Sequence, residues 1–153
     1  MLHAAIHRAE LGSVLVIECG DLHHALAGGN VCAVAQRRGI TAFVADGLIR
    51  DVAEVHSMGF PVFARGVIPI PGAKAAVLPL NSPARCAGVT VHAGDVVVAD
   101  EEGVVVVPHS CQQQVLLDAQ AKLAEEAGET LDVWEQAHRA RIDAILRDKG
   151  FHG

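Results

Sequence analysis

Arg50 and Asp51 stand side by side, directly after the run Ala45-Asp46-Gly47-Leu48-Ile49. A guanidinium next to a carboxylate offers two kinds of chemistry. Arg50 can grip a carboxylate through two parallel hydrogen bonds or steady a developing oxyanion. Asp51 can supply the single hard oxygen ligand that Mg2+ or Mn2+ often takes, with waters and substrate completing the shell. A second feature lies upstream, where Gly28-Gly29-Asn30-Val31 opens a helical pattern. Backbone N–H groups at a glycine-flanked helix start are free and unshielded, a natural seat for a carboxylate or phosphate. Both features also have plainer readings. An aspartate near a helix N-terminus is favourable by ~0.3–1 kcal/mol in any case, so Arg50-Asp51 reads equally as a solvated helix start. Glycine pairs are commonly simple turns. The acidic run Asp100-Glu101-Glu102 reads as hairpin-turn chemistry.

The elements that must position these residues follow from periodicity. Leu2, Ala5, Ile6 and Ala9 have helical spacing, and Gly12-Ser13 ends that pattern. Val14-Leu15-Val16-Ile17 reads as a buried strand. His23 to Ala27 is ambiguous between a short helical piece and strand with loop. A helix from Gly28-Gly29-Asn30 runs into Arg37-Arg38 and stops at Gly39. Thr41 to Ala45 is a strand ending in a turn at Asp46-Gly47. A helix then continues from Arg50 to Met58, and Pro61 to Ala64 forms a further strand. Gly66 to Gly72 is an irregular connection, and Ala75 to Leu80 is another apolar run, interrupted by Asn81-Ser82-Pro83. Val89–Val91, Val96–Ala99 and Val104–Val107 read as strands in consecutive hairpins. Their valine runs lack polar alternation, which implies cover on both faces. Past Pro108, Ser110 can cap a helix carrying Leu116, Ala119 and Leu123. Gly128-Glu129-Thr130 breaks it before a second helix through Leu131, Trp134, Ile142 and Leu146. The expected organisation is one domain over residues 1–153, with an α/β core over 1–108 and a helical extension over 109–153. That extension is expected to pack on the β core or on a neighbouring subunit.

Composition narrows the function classes. Half of the 153 residues are apolar, with four Phe, one Trp and no Tyr, so the core must be built from Val, Ala, Leu and Ile. A net charge of −6 and a pI near 5.8 argue against direct nucleic-acid binding and a polybasic membrane surface. No apolar run reaches the ~20 residues of a membrane span. Met1 to Glu10 lacks the charged and apolar regions of a signal peptide. Cys19, Cys32, Cys86 and Cys111 are widely and irregularly spaced, as expected for free thiols in a cytoplasmic protein. A soft-metal site from Cys19 with His23-His24 lacks the usual zinc-ligand spacing.

The segments Gly28-Gly29-Asn30-Val31, Arg38-Gly39-Ile40-Thr41 and Asp46-Gly47-Leu48-Ile49-Arg50-Asp51 together resemble the signature of the RraA-like family, which includes class II 4-hydroxy-4-methyl-2-oxoglutarate aldolases. The resemblance continues through Gly59 to Gly66, Gly88 to Val91, Gly94 to Asp100 and Gly103 to Pro108. It implies an α/β fold, a swivelling-type β/β/α sandwich with a C-terminal helical tail, assembled as a homotrimer or hexamer with sites between subunits. It also implies backbone amides of Gly28, Gly29, Asn30 and Val31 for a 2-oxo acid carboxylate, Arg50 at the substrate's oxo and carboxyl end, and a divalent metal, Mg2+ or Mn2+, on Asp51. The implied reaction is retro-aldol release of pyruvate, with oxaloacetate decarboxylation as a side activity. The proton-shuttling base is not identified. Glu129 and its acidic neighbours are candidates to reach an adjacent subunit's site. Two departures stand out. Family members usually carry a further segment before the helix that begins here at Leu2, a segment that contributes to the site or the trimer interface. The glycine turn often carries an acidic residue where this chain has Gly29.

Three other readings compete. The family's namesake regulator binds and inhibits ribonuclease E without catalysis, and the intact Arg50-Asp51 pair favours the enzyme over a pure adaptor. Swivelling phosphohistidine carrier domains share the glycine pair before a helix, but no histidine lies between Gly28 and Gly39, which removes the nucleophile. A methyltransferase label borne by relatives finds no GxGxxG fingerprint after a strand.

Overall fold

The computed structural model describes residues 1–73 and 78–151, so the first half of the expected apolar run Ala75 to Leu80 lies outside the described residues. The chain forms two compact units, Met1–Ser110 and Cys111–Gly153.

Strand β3 (Ala42–Ile49) is the hub of the first unit. It pairs in parallel with β1 (Val14–Glu18) along its first half, with β2 (Ala25–Ala27) at Leu48 and Ile49, and with β4 (Val62–Val67). Parallel strands need crossovers, and helices α2 (Gly29–Arg37) and α3 (Val52–Ser57) supply them, with α1 (Leu2–Arg8) before β1. These helices cover one face of the sheet. Ile6, Cys32, Ala35, Val55 and Phe60 close over Phe43, which is 0% exposed. With so few aromatics, the edge-to-face pair of Phe43 and Phe60, with centroids 5.0 Å apart, anchors the core.

The opposite face of the sheet is met by short antiparallel pairs, giving the α/β/β layering. Strand β5 (Ala84–Cys86) pairs with β6 (Val89–Val91), and β7 (Val96–Ala99) pairs with β8 (Val104–Val107). Between the layers lies a cavity of about 240 Å3, lined by Val44, Phe63, Val97 and Val106 among others.

Several local expectations change. Asp46-Gly47 is not a turn: β3 continues through it to Ile49, with a shift in its register against β4 between Ala45 and Leu48. Glycine is needed at 47 because a Cβ there would sit 2.7 Å from Leu26 Cδ1 and 2.8 Å from Cys19 Cβ. The partner of β6 is β5, which Asn81-Ser82-Pro83 concealed, so only β7 and β8 form one of the expected valine hairpins. Their valines are not covered on both faces in the single chain, since Val96, Val98, Val104 and Val105 are exposed. The ambiguous stretch after His23 resolves into β2, and strand β4 extends through Gly66 into the stretch expected to be irregular. The turn at Asp100 does follow hairpin chemistry, with its carboxylate accepting the amides of Glu102 at 2.8 Å and Gly103 at 3.3 Å.

The second unit holds α4 (Gln112–Glu126) and α5 (Leu131–Asp148). Ser110 falls in a 3-10 turn (His109–Cys111) rather than capping α4, whereas Thr130 caps α5 by accepting the Val133 amide. No residue of either helix is buried within the chain.

Phe43→Ala is expected to cost about 3–5 kcal/mol in denaturant unfolding, since it empties the centre of the helix-covered core. Burial pushes the Cys32 thiol up to about 11, with the Asp51 carboxylate adding to the effect. The reactive thiolate is therefore scarce until the pH approaches that value. In the native protein at pH 8, mass spectrometry after iodoacetamide should find Cys32 unmodified while the partly exposed Cys19 and Cys111 are labelled.

Candidate functional site

Two strand-to-helix junctions lie side by side. One leads from β2 through Gly28 into α2, the other from β3 through Arg50-Asp51 into α3. Both follow the carboxyl ends of parallel strands, where ligands bind in open α/β sheets. The pairing of β2 with Leu48 and Ile49 brings the junctions into register. Two hydrogen bonds then tie them together. The Arg50 amide donates to Ala27 O at 2.9 Å, and the Gly29 amide donates to Asp51 Oδ2 at 3.0 Å.

Asp51 occupies the N-cap position of α3, but its carboxylate does not cap that helix. It reaches across to the first turn of α2, where the partial positive charge of the helix end favours it. Its backbone is left-handed, with φ 57° and ψ 38°. Aspartate tolerates this region better than most residues, yet such a conformation still costs of order 1 kcal/mol and persists only where the surroundings enforce it. Arg50 Nε lies 3.6 Å from Asp51 Oδ2, and the two side chains are 42% and 33% exposed, so both remain open to a ligand.

Gly28 makes this approach possible. A Cβ at Gly28 would collide with Asp51 Oδ2 and stand 2.8 Å from Arg50 Cγ and 2.9 Å from Arg50 Nε. Its backbone is extended, so the requirement is for empty space alone. Of the turn's amides, that of Gly29 serves Asp51, and that of Val31 bonds Gly28 O at 3.0 Å. The structure thus brings together Gly28, Gly29, Asn30, Val31, Arg50 and Asp51, all six residues expected from the sequence.

One further carboxylate reaches this place unforeseen. Glu54 lies one helical turn beyond Asp51, and its Oε2 occupies the space that a side chain on Gly29 would take. The three-residue spacing from Asp51 was the available signal. The other polar groups noted in the sequence lie elsewhere. His24 Nδ1 sits 3.1 Å from Asp21 Oδ2, and Cys19 Sγ donates to Asp21 O at 2.9 Å. Glu129 stands in the connection between α4 and α5. At the cavity between the β layers, Arg65 and Asp46 are hydrogen-bonded to each other, and Arg65 holds the Asp46 carboxyl below its ordinary range. That cavity therefore offers walls of valine and a self-neutralised pair, whereas the junctions offer accessible charge.

A protein of Halalkalibacterium halodurans, which bears the provisional name 4-hydroxy-4-methyl-2-oxoglutarate aldolase, is 37% identical over 148 residues, covering 96% of this chain and 67% of its own. A crystal structure of an uncharacterised Pseudomonas syringae protein matches with a TM-score of 0.76 at 30% identity, over 90% of this chain and 68% of that one. The Streptomyces coelicolor protein RraAS2, described as an unusual member of the RNase ES inhibitor RraA family, matches with a TM-score of 0.71 at 30% identity, over 92% and 68%. The chain spans about two thirds or less of the length of the curated relatives it matches. The RraA-like family model, described as Aldolase/RraA, matches residues 1–106 and so takes in both junctions. On that match and those likenesses, the chain belongs to the RraA-like family.

Proposed function

We propose that this chain carries the 2-oxo acid site of a divalent-metal-dependent class II pyruvate aldolase, acting on substrates of the 4-hydroxy-4-methyl-2-oxoglutarate type. The observation that carries the reading is the Asp51 carboxylate. It is held on the Gly29 amide from a left-handed backbone, with the Arg50 guanidinium beside it. Backbone strain of this kind clusters at functional sites. The aldolase names given provisionally to relatives point the same way.

The donor set fits a weakly caged hard cation. Among the described residues, Asp51 makes its hydrogen bond and ion-pair contact through Oδ2, which leaves Oδ1 for a ligand. Among the described residues, no three His, Cys, Asp or Glu side chains gather as a metal cluster. One carboxylate completed by waters and substrate oxygens is a usual arrangement for Mg2+. When bound there, Mg2+ or Mn2+ would supply Lewis-acid polarisation of the 2-oxo group and stabilise negative charge developing on its oxygen.

The chain's own residues account for the rest. The first turn of α2 (Gly28, Gly29, Asn30 and Val31) receives the substrate carboxylate, with the Gly28 and Asn30 amides serving it while Gly29 holds Asp51. Arg50 orients the oxo and carboxyl end and places fixed positive charge where the oxyanion forms. Cleavage of the C–C bond leaves its electron pair on the pyruvate fragment as an enolate. The same enolate forms when oxaloacetate loses CO2, so oxaloacetate is expected to be a second substrate.

Assembly as a homotrimer or hexamer is part of this reading. It is supported by the exposed Val96, Val98 and Val105, which share one face of the β7–β8 pair, an apolar face that a neighbouring subunit would cover. The likeness to RraAS2 favours one alternative, a non-catalytic regulator that binds ribonuclease E. That role requires neither the accessible guanidinium nor the strained aspartate.

Purified protein with Mg2+ or Mn2+ should release pyruvate from 4-hydroxy-4-methyl-2-oxoglutarate and decarboxylate oxaloacetate, and EDTA should stop both. Asp51→Asn and Arg50→Ala should each lower kcat/KM by about a hundred- to a thousandfold, the scale of removing one charge-stabilising group, with the far-UV spectrum unchanged. Turnover that survives EDTA or Asp51→Asn would sink the metal-aldolase reading. Ribonuclease E inhibition that is unchanged in Asp51→Asn, in a protein without pyruvate release, would favour the regulator.

A further inference from the structure

We infer that Glu54 is the proton-transfer group of this site, the base that takes the substrate's C4 hydroxyl proton and returns it to the pyruvate enolate. The inference rests on the reading of Arg50 and Asp51 given above.

Three observations converge on Glu54. Its carboxylate lies against the first residue of α2: an ideal Cβ on Gly29 would collide with Glu54 Oε2 and stand 3.0 Å from its Cδ and 3.2 Å from its Cβ. Gly29 begins a helix with no positive φ to require glycine, so Glu54 explains the missing side chain there. The second observation is division of labour between the two carboxylates. Asp51 Oδ2 is committed to the Gly29 amide and stands 3.6 Å from Arg50 Nε. The Glu54 carboxylate has no hydrogen bond or ion pair among the described residues, because Ser57 Oγ and the Met58 amide both go to its backbone carbonyl. The third is place. Glu54 and Asp51 flank the same glycine, so a substrate drawn to the Gly28 and Asn30 amides and to Arg50 has Glu54 at its side.

The chemistry balances with no additional reactant. Glu54 takes the proton of the C4 hydroxyl, and the O–H electron pair becomes the second bond of the new C4 carbonyl. The C3–C4 bond breaks, and its electrons form the C2–C3 double bond of the enolate, with the charge on the former 2-oxo oxygen. The proton on Glu54 then passes to C3, which becomes the methyl group of pyruvate. Oxaloacetate decarboxylation differs at one point. Loss of CO2 requires no hydroxyl deprotonation, and the final proton can come from water.

That difference supplies the test. In the full chain, Glu54→Gln should lower pyruvate release from 4-hydroxy-4-methyl-2-oxoglutarate by at least about a hundredfold, the scale of a positioned acid–base group. Oxaloacetate decarboxylation and Mn2+ affinity, read by electron paramagnetic resonance, should stay within about threefold, the margin left for indirect effects. Exchange of the pyruvate methyl protons with deuterated water, followed by NMR, should slow with the retro-aldol reaction. Equal loss of both reactions, loss of Mn2+ binding, or parental retro-aldol rates in Glu54→Gln would each overturn the assignment. Asp51→Asn separates the underlying reading, since it should abolish Mn2+ binding and both reactions. Absence of both reactions in the parent protein would overturn that reading, and the role of Glu54 with it.

Discussion

Two hydrogen bonds hold the candidate site in being: Arg50 N–H to the Ala27 carbonyl, and Gly29 N–H to the Asp51 carboxylate. Each runs from one strand-to-helix junction to the other, so neither junction can move alone. The first fixes the backbone of Arg50 as a continuation of the β2–β3 pairing. The second orients the Asp51 carboxylate and satisfies an amide that the start of α2 would otherwise leave unpaired. The left-handed backbone at Asp51 follows from this demand, because the carboxylate must leave its own helix to reach α2.

Everything beneath those bonds serves to set the junctions at one height. With β4 along its other edge, β3 passes beyond β1 to meet β2, and it can do so because Gly47 leaves room for Cys19 and Leu26 against it. Phe43, Phe60 and Cys32 then lock the helices onto the sheet below the site. Absent side chains have the same use above. Gly28 makes room for Arg50 and Asp51, and Gly29 makes room for Glu54. The site is thus built as much from missing Cβ atoms as from charged groups.

The parts of this arrangement that were legible in the sequence are those encoded locally. Helical spacing placed α1, α2 and α3, and Gly39 and Gly59 marked the ends of α2 and α3. Residues Gly28 to Val31 and Arg50-Asp51 stood out because glycine pairs and Arg-Asp neighbours are chemically distinctive. What sequence reasoning missed depends on pairing across the chain. Gly47 looks like a turn until the packing of Cys19 and Leu26 is known. Strand β5 hides behind Asn81-Ser82-Pro83, so from sequence its partner β6 reads as part of the next hairpin. The exposure of the β7 and β8 valines depends on what covers them, which a valine run alone does not specify. Glu54 was passed over because its role depends on the absence of a side chain at Gly29, on another element.

The central claim is that the two junctions form one site, with a cation on Asp51 and a 2-oxo acid carboxylate on the first turn of α2. The most direct measurement is a crystal structure of the protein soaked with Mn2+ and pyruvate, with anomalous data collected at the manganese edge. The account predicts a single strong anomalous peak about 2.1 Å from an Asp51 oxygen, near the usual distance for a small hard cation, with pyruvate between it and the Gly28–Val31 turn. A manganese peak elsewhere, or pyruvate bound away from Arg50 and α2, would contradict it.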